Sequence, residues 1–300
     1  MKNINVIGVP LSYGCDKDGP QLGPDILRDY GVIDAIRSFG HSVYDLGDIS
    51  IPETIDEEKF ASAPDMKFLK EVLQVNNNLA EVVANSLSAG KFPLIIGGDH
   101  AVGLGVGSGV SSQLDNLAII WVDAHADINT NITSPSKNMH GMPLAALMGV
   151  GDKRLVNLYR KGVKVKPENV VLMGCRSIDE GELALIDELN LQLYTTENIK
   201  QRGVIEIFAE LEERFAQLDV QNIHLSLDID VLDAQYVPGT GTRVEDGIDL
   251  DELYAILDRI IATGKLRSMG LVELNPRIDD EDNKTAKLCI DIVKYVAERL

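Results

Sequence analysis

Short runs of apolar residues alternate along the chain with longer segments that have the periodicity of amphipathic helices. The runs lie at residues 4–9, 93–96, 117–122, 170–174, 223–227 and 268–272. Several are continuously apolar, as in strands that are buried on both faces. Helical segments lie at residues 25–37, 66–88, 249–262 and 283–299. This alternation predicts an α/β fold of three layers, with helices on both sides of a mostly parallel sheet.

The organisation of the chain favours a single domain over residues 1–300. No internal repeat or low-complexity linker divides it, and the polar, acidic stretch at residues 50–65 is typical of a solvated surface excursion. No apolar run is long enough to cross a bilayer, and the first residues lack the apolar core of a signal peptide. Three widely spaced cysteines without a CxxC pair indicate reduced thiols, so we expect a cytoplasmic protein.

The net charge excludes some partners. Lys and Arg number 28 against 47 Asp and Glu, which gives a formal charge of −19. Nucleic acids and anionic membranes favour basic surfaces, so we expect neither as a partner. The charge is compatible with a cationic substrate, although solubility alone is the commoner reason for such an excess.

Four clusters of acidic or histidine residues each follow a predicted strand. They are Gly97-Gly98-Asp99-His100, the Asp123, His125 and Asp127 set, Asp228-Ile229-Asp230 with Asp233 after it, and Glu273. Ligands of open α/β sheets bind outside the carboxyl ends of the strands. We therefore expect these four segments, which are distant in sequence, to meet at one place.

The residue types in these clusters favour a divalent metal. Asp123, His125 and Asp127 alternate, and an extended backbone would direct all three to one side. Carboxylates with an imidazole are plausible ligands for such an ion, whereas an unpaired Asp after so apolar a run would be costly. Asp228 and Asp230 would raise each other's pKa unless a cation lay between them. Taken singly, His100 could be a capping or core histidine, Asp228 a helix cap and Glu273 a surface residue.

Two other patterns carry no function. The glycines at 103, 105, 107 and 109 do not fit a nucleotide-binding loop, and we interpret them as small residues on a helix packed close to the sheet. His41 and His224 have no acidic companions at ligand spacing. We expect both to be structural or surface histidines.

Taken together, the motifs GGDH, DAHADINT, SLDIDVLD and ELNP, with His140-Gly141 between them, resemble those of the ureohydrolases. This family contains arginases, agmatinases and formiminoglutamases. The likeness runs from Gly19-Pro20 to Glu273 in the family's order. It implies an arginase-like α/β fold and hydrolysis of a guanidinium group by a hydroxide that bridges two Mn²⁺ ions.

The resemblance also implies roles for single residues. One ion would be held by His100, Asp123, Asp127 and Asp228, and the other by Asp123, His125, Asp228 and Asp230. His140 matches the histidine that shuttles protons, and Glu273 matches the carboxylate that holds the guanidinium.

The segment from Asn129 to His140 resembles the arginases more than the agmatinases. That likeness implies that Asn129 and Ser136 contact the α-carboxylate of the substrate, that Asp179 and Glu182 lie near its α-amino group, and that Thr242 is a site hydroxyl. The chain departs from the family pattern at Ser177, where an acidic residue is usual, at Ala234, where Pro often stands, and at Glu245-Asp246, which replaces a Gly-rich turn.

The sequence thus predicts manganese-dependent hydrolysis of L-arginine to L-ornithine and urea, in a homotrimer or homohexamer. The nearest alternative is a ureohydrolase acting on agmatine, guanidinobutyrate or formiminoglutamate. A zinc deacetylase-like enzyme would need only one metal, and the second set of ligands argues against it. A non-catalytic metal-binding assembly protein would not need His140 and Glu273.

Overall fold

The computed structural model describes residues 1–300 and contains one sheet of eight strands. Neighbouring strands are all parallel, and their order is β2-β1-β3-β8-β7-β4-β5-β6. The strands are β1 Asn3–Val9, β2 Ser42–Asp48, β3 Phe92–Gly97, β4 Leu117–Val122, β5 Val170–Cys175, β6 Gln192–Thr195, β7 Asn222–Asp228 and β8 Leu266–Val272.

Eleven α-helices connect and cover the strands. They are α1 Gly23–Asp29, α2 Val32–Arg37, α3 Leu69–Ser88, α4 Gly103–Ser111, α5 Pro143–Leu147, α6 Lys153–Val156, α7 Glu180–Leu189, α8 Thr196–Arg202, α9 Val204–Gln217, α10 Leu250–Ala262 and α11 Lys284–Arg299. None of them is both long enough and apolar enough to span a bilayer.

Both faces of the six inner strands are buried, which explains why several of these strands are continuously apolar. In β4, Ile119 and Trp121 join a core with α3, α4 and α5, whereas Ala118, Ile120 and Val122 join a second core with α9, α10 and α11. Successive side chains of a strand point to opposite faces. The two cores therefore lie on opposite sides of the sheet, and the predicted three-layer α/β fold is confirmed.

One local prediction needs correction, two strands were not foreseen, and the interpretation of the glycines at 103–109 is confirmed and extended. The helix expected at 25–37 is two helices, because Gly31 adopts a left-handed conformation with φ of 82° between α1 and α2. The strands β2 and β6 were not predicted. Both lie at edges of the sheet; most residues of β2 are exposed, and β6 has only four residues, most of them partly buried. The glycines of α4 pack against α3 as well as the sheet: a Cβ at Gly109 would lie 2.5 Å from the Ala80 carbonyl oxygen, and one at Gly103 would lie 2.6 Å from Trp121.

The turn after β3 requires its second glycine. A Cβ at Gly98 would lie 1.8 Å from the carbonyl oxygen of Leu11, so a side chain here cannot be accommodated without a backbone shift. The Gly98 N–H donates to Val9 O, and the next N–H, of Asp99, donates to Leu11 O. These contacts fix the direction in which the chain leaves the strand, and hence the position of His100.

The imidazole of His224 gives the fold a predictable response to acid. It is buried in β7, and its Nδ1 lies 2.9 Å from Ser268 Oγ on β8. Burial lowers the pKa of His224 from 6.5 to about 4. Between these pH values the unfolded chain binds a proton that the folded chain does not, so stability falls as the pH falls through this window. At pH 4 this effect should lower the free energy of unfolding of the wild type by about 3 kcal/mol. His224→Asn should abolish that decrease, as measured by urea unfolding of metal-free protein.

Ser268→Ala is the matched control for this experiment. It deletes the hydrogen-bond partner but leaves the imidazole buried, so its stability should keep the wild-type dependence on pH. If His224→Asn also kept that dependence, the acid response would have another origin.

Candidate metal centre and cavity

The four clusters predicted from the sequence meet at the carboxyl edge of four adjacent strands. In the sheet these strands are β3, β8, β7 and β4, and the chain that leaves each one contributes to the site. His100 lies just after β3, Glu273 directly after β8, Asp230 after β7 and Asp123 after β4. The parallel sheet thus brings together residues that are separated by up to 173 positions in sequence.

The backbone after β4 differs from the predicted extended segment. The strand ends at Val122, and the chain turns so that Asp123 Oδ1 accepts the N–H of His125 at 2.6 Å. Asp127 adopts a left-handed conformation with φ of 54°. The three side chains still converge, but a turn directs them there rather than the alternation of a strand.

The first cluster surrounds the imidazole of His100. Its Nδ1 lies 2.8 Å from Asp123 Oδ2, 3.0 Å from Asp127 Oδ2 and 3.3 Å from Asp228 Oδ2. On the other side of the ring, Nε2 lies 2.8 Å from Ser226 Oγ. The ring is therefore oriented with Nδ1 toward three buried carboxylates.

The second cluster shares Asp123 with the first. Nδ1 of His125 lies 3.4 Å from Asp123 Oδ1 and 3.1 Å from Asp230 Oδ2. The ligand atoms of these three residues lie within 4.8 Å of one another, as do those of His100, Asp123 and Asp228. Asp228 groups with the first cluster only, so a bridging role for it stays a prediction, whereas Asp123 contacts both imidazoles.

The four carboxylates strongly perturb one another. Burial, together with the charges of Asp230 and Asp123, raises the pKa of Asp228 well above its ordinary value. Burial and Asp123 raise the pKa of Asp127 to about 6. Although burial favours neutral imidazole, the neighbouring carboxylates raise the pKa of His125 to about 12. The site therefore requires positive charge, which protonated imidazoles or bound cations can supply.

The donor set fits divalent metal ions. Asp127 Oδ2 and His100 Nδ1 are both buried, and neither has a hydrogen-bond partner, although they lie only 3.0 Å apart. Buried polar atoms are rarely left unpaired unless something else engages them. Carboxylate oxygens and imidazole nitrogens facing a common point are suitable ligands for Mn²⁺ or a similar ion.

His140 and Glu273 form a pair beside the clusters. His140 Nδ1 lies 3.2 Å from Glu273 Oε1, which also accepts the backbone N–H of His100 at 2.8 Å. Burial lowers the pKa of His140, but Glu273 outweighs it and the net pKa is raised. Glu273 Oε2 makes no hydrogen bond to the protein, so this oxygen remains available to a ligand.

A polar cavity of about 110 Å³ opens onto both clusters, and no hydrophobic residue lines it. All five residues predicted to contact the substrate line this cavity, with His140 and several others. The full lining is His125, Asp127, Asn129, Ser134, Ser136, His140, Gly141, Ser177, Asp179, Glu182, Asp228 and Thr242. Glu273 is not among them and contacts the cavity through His140.

The predicted substrate contacts are linked to one another. Asn129 Nδ2 donates to Asp179 Oδ2 at 2.8 Å, and Asn129 Oδ1 accepts the hydroxyl of Thr133. Glu182 accepts the N–H groups of Ile128 and Asp179, and burial raises its pKa to about 7. Thr242 Oγ1 donates to Asp230 Oδ2, which connects the rim of the cavity with the second cluster.

Sequence reasoning missed some residues that support the centre. The indole of Trp121 stacks on the His100 ring, with centroids 4.0 Å apart and planes at 9°, and its Nε1 donates to Asp123 Oδ2. Ser226 and Trp121 both lie two residues before a predicted ligand, on strands, and that spacing is the only signal the sequence offers.

A parallel α/β sheet whose strand ends carry two carboxylate–imidazole clusters with a shared Asp is a candidate metal-binding protein of the α/β class. A model of the arginase family matches residues 2–297. The arginase of Bacillus subtilis (strain 168) is 40% identical over 293 residues, which cover 98% of this chain and 97% of that one. The chain therefore belongs to the arginase family, whose members are hydrolases.

Solved structures agree with this assignment. The arginase of Bacillus caldovelox superposes with a TM-score of 0.93 at 37% identity, over 99% of this chain and 98% of that one. The arginase of Entamoeba histolytica, solved in complex with L-ornithine, gives a TM-score of 0.90 at 32% identity with the same coverage.

The fluorescence of Trp121 should report metal binding. It is the only tryptophan, it stacks on His100, and it donates a hydrogen bond to Asp123. Addition of Mn²⁺ to metal-free protein should change its emission, and the change should saturate with the metal content measured on the same samples. His100→Ala should weaken the response, whereas the exposed α10 variant Asp251→Asn should retain it. Unchanged emission at full metal loading would contradict the proximity of the indole to the ion.

Proposed function

We propose that the chain hydrolyses L-arginine to L-ornithine and urea, with two Mn²⁺ ions bound at the paired clusters. The observation that carries this proposal is that two clusters sharing Asp123 open into a single small polar cavity, which His140 also lines. A one-metal deacetylase-like site would not need the second cluster. A metal-binding assembly protein would not need the His140–Glu273 pair.

The proposed ligands are His100, Asp123, Asp127 and Asp228 for one ion, and Asp123, His125, Asp228 and Asp230 for the other. Bound divalent ions would lower the pKa of water so that a nucleophile forms near neutral pH. The four Asp carboxylates would offset the charge of two such ions. The cavity would therefore not repel a cationic guanidinium group.

His140 would hold the proton that the leaving nitrogen needs. Glu273 accepts from Nδ1 and favours the protonated imidazole, which leaves Nε2 to exchange a proton with a bound molecule. The nitrogen that becomes the amine of ornithine is a poor leaving group as an anion but a good one as a neutral amine, so proton transfer at this position assists cleavage of the C–N bond.

Glu273 would act on the substrate through its free oxygen. Oε1 is engaged by His140 and by the N–H of His100, and this fixes the orientation of the carboxylate. Oε2 could then pair with a guanidinium N–H in a charge-assisted hydrogen bond. Whether this oxygen reaches a substrate in the cavity stays a prediction, since Glu273 contacts the lining only through His140.

The far end of the substrate would meet the rim of the cavity, where Asn129, Ser136, Asp179, Glu182 and Thr242 lie. The L-ornithine bound in the Entamoeba histolytica arginase supports an amino-acid product. A homotrimer or homohexamer, a cytoplasmic location and a single domain stay predictions. Mass measurement of the native protein would test the assembly.

His140→Asn should reduce turnover by roughly 10²–10⁴-fold, the usual share of general acid–base catalysis. Its metal content should remain that of the wild type, because His140 contacts Glu273 and not the two clusters. His125→Asn is the comparison: it removes a proposed ligand and should lose metal as well as activity. Loss of an ion from His140→Asn would show that His140 is a ligand rather than a proton donor.

Urea release from arginine, agmatine and guanidinobutyrate, measured side by side on Mn²⁺-loaded protein, tests the substrate. Arginine should exceed agmatine in kcat/KM by as much as roughly 10⁴-fold, because a site that hydrogen-bonds a substrate group discriminates against analogues that lack it. Equal rates on agmatine would contradict the arginase assignment but leave the ureohydrolase assignment intact.

The double variant Asn129→Ala/Ser136→Ala should have a raised KM for arginine. It should also show a smaller difference in kcat/KM between arginine and agmatine. Asn131→Ala is the matched control, because Asn131 lies in the same loop and braces it through Asp65 but does not line the cavity. If Asn131→Ala reduced the difference in kcat/KM between arginine and agmatine equally, the effect would arise from loop structure rather than from contact with the substrate.

A further inference from the structure

Arg176 follows β5 directly and makes no ion pair, yet its side chain contacts six backbone carbonyl groups. The distances from its guanidinium nitrogens to these oxygens lie between 2.8 and 3.4 Å. The acceptors are the carbonyl oxygens of Gly174, Asp230, Val231, Leu232, Val244 and Glu245. A guanidinium has five N–H groups, so at least one of them is shared.

Arg176 donates to two backbone segments that adjoin the second metal cluster. One is the turn at residues 230–232, which begins at the proposed ligand Asp230. The other is the pair at residues 244–245, just beyond Thr242, whose hydroxyl donates to Asp230 Oδ2 at 3.1 Å. A single side chain therefore fixes both the backbone of Asp230 and the loop that contacts its carboxylate.

The backbone of Arg176 contacts the residue that joins Asp123 to His125, the other two members of the same cluster. Its N–H donates to Ala124 O at 2.9 Å. Ala124 lies between Asp123 and His125, and its own N–H donates to Asp230 Oδ1 at 3.2 Å. Arg176 thus binds the backbone next to Asp123 and His125 as well as that of Asp230. It makes no hydrogen bond to His100 or Asp127, which belong to the first cluster alone.

We propose that Arg176 is a positioning residue for the metal ion of the second cluster, and that it acts by fixing the backbone around Asp123, His125 and Asp230, three of the four ligands proposed for that ion. This inference rests on the proposed dinuclear centre. It predicts a selective loss: the affinity for the ion of the second cluster falls, while the ion of the first cluster stays. Removing groups that orient metal ligands commonly costs roughly 10–100-fold in affinity.

The planar shape of the guanidinium is essential to this role. Five donors in a rigid fork can reach carbonyls of separate segments at once, whereas the three donors of Lys radiate from one atom. Arg176→Lys keeps the charge but should not restore the affinity. Arg176→Ala leaves a space lined by carbonyl oxygens, which free guanidinium ion can enter.

The experiment measures manganese bound per chain after equilibrium dialysis against a series of Mn²⁺ concentrations. Wild-type protein should bind two ions. Arg176→Ala and Arg176→Lys should bind one ion as the wild type does, and the second with a dissociation constant raised roughly 10–100-fold. Guanidinium chloride at millimolar concentration should restore the second ion to Arg176→Ala, whereas sodium chloride of equal ionic strength should not.

Arg267→Ala is the matched control. Arg267 also donates to backbone carbonyls, of Gly264 and Leu266, but it lies at the start of β8, at the opposite end of the strand from the site. Its variant should lose stability to urea and still bind two ions with wild-type affinity.

The possible failures are distinguishable. A wild-type protein that binds one ion or none overturns the dinuclear centre itself. If the wild type binds two ions and Arg176→Ala does so equally well, Arg176 has no positioning role. Equal weakening of both ions, or no rescue by guanidinium, would indicate general destabilisation and would likewise overturn the proposal.

Discussion

The carboxylates of Asp123, Asp127, Asp228 and Asp230 are buried side by side, and the rest of the site is organised around their repulsion. Backbone N–H groups stabilise three of them: those of His125, Ala124 and Asp230 donate to Asp123, Asp230 and Asp228. Hydrogen bonds of this kind reduce the cost of burying an anion but do not cancel its charge. This edge of the sheet therefore requires compensating positive charge, and His100 and His125 lie beside the carboxylates that require it.

The sheet supplies the rigidity that such a cluster requires. The strands β3, β8, β7 and β4 are adjacent and buried on both faces, so the residues that follow them start from fixed points. The cavity rim is built differently, from the loop at residues 129–138 and from Thr242. Side-chain bonds brace this loop, among them Lys67 Nζ to Asn138 Oδ1 at 2.8 Å. The proposed chemistry thus depends on strand ends, and the proposed specificity on loops.

The sequence predicted those parts of the fold whose cause is local. The strand at 117–122 has its predicted bounds because every residue in it is buried, whereas β2 was missed because Tyr44 and Leu46 are exposed on an edge strand. The site was predicted by residue type at strand ends. The contacts of Arg176 were not, since five of its six carbonyl partners lie 54 to 69 positions further along the chain, and no local pattern records such a pairing.

The hydrogen bond between Asn129 and Asp179 bears on which guanidine fits. An amide has two N–H groups, so Asn129 can donate one to Asp179 and retain one for a ligand. A carboxylate bound by Asn129 would then lie beside an ammonium bound by Asp179. In an α-amino acid these two groups are attached to the same carbon, and the side chains of Asn129 and Asp179 are likewise adjacent. Agmatine has no carboxylate and would leave the second N–H of Asn129, a buried side chain, without a partner from the substrate.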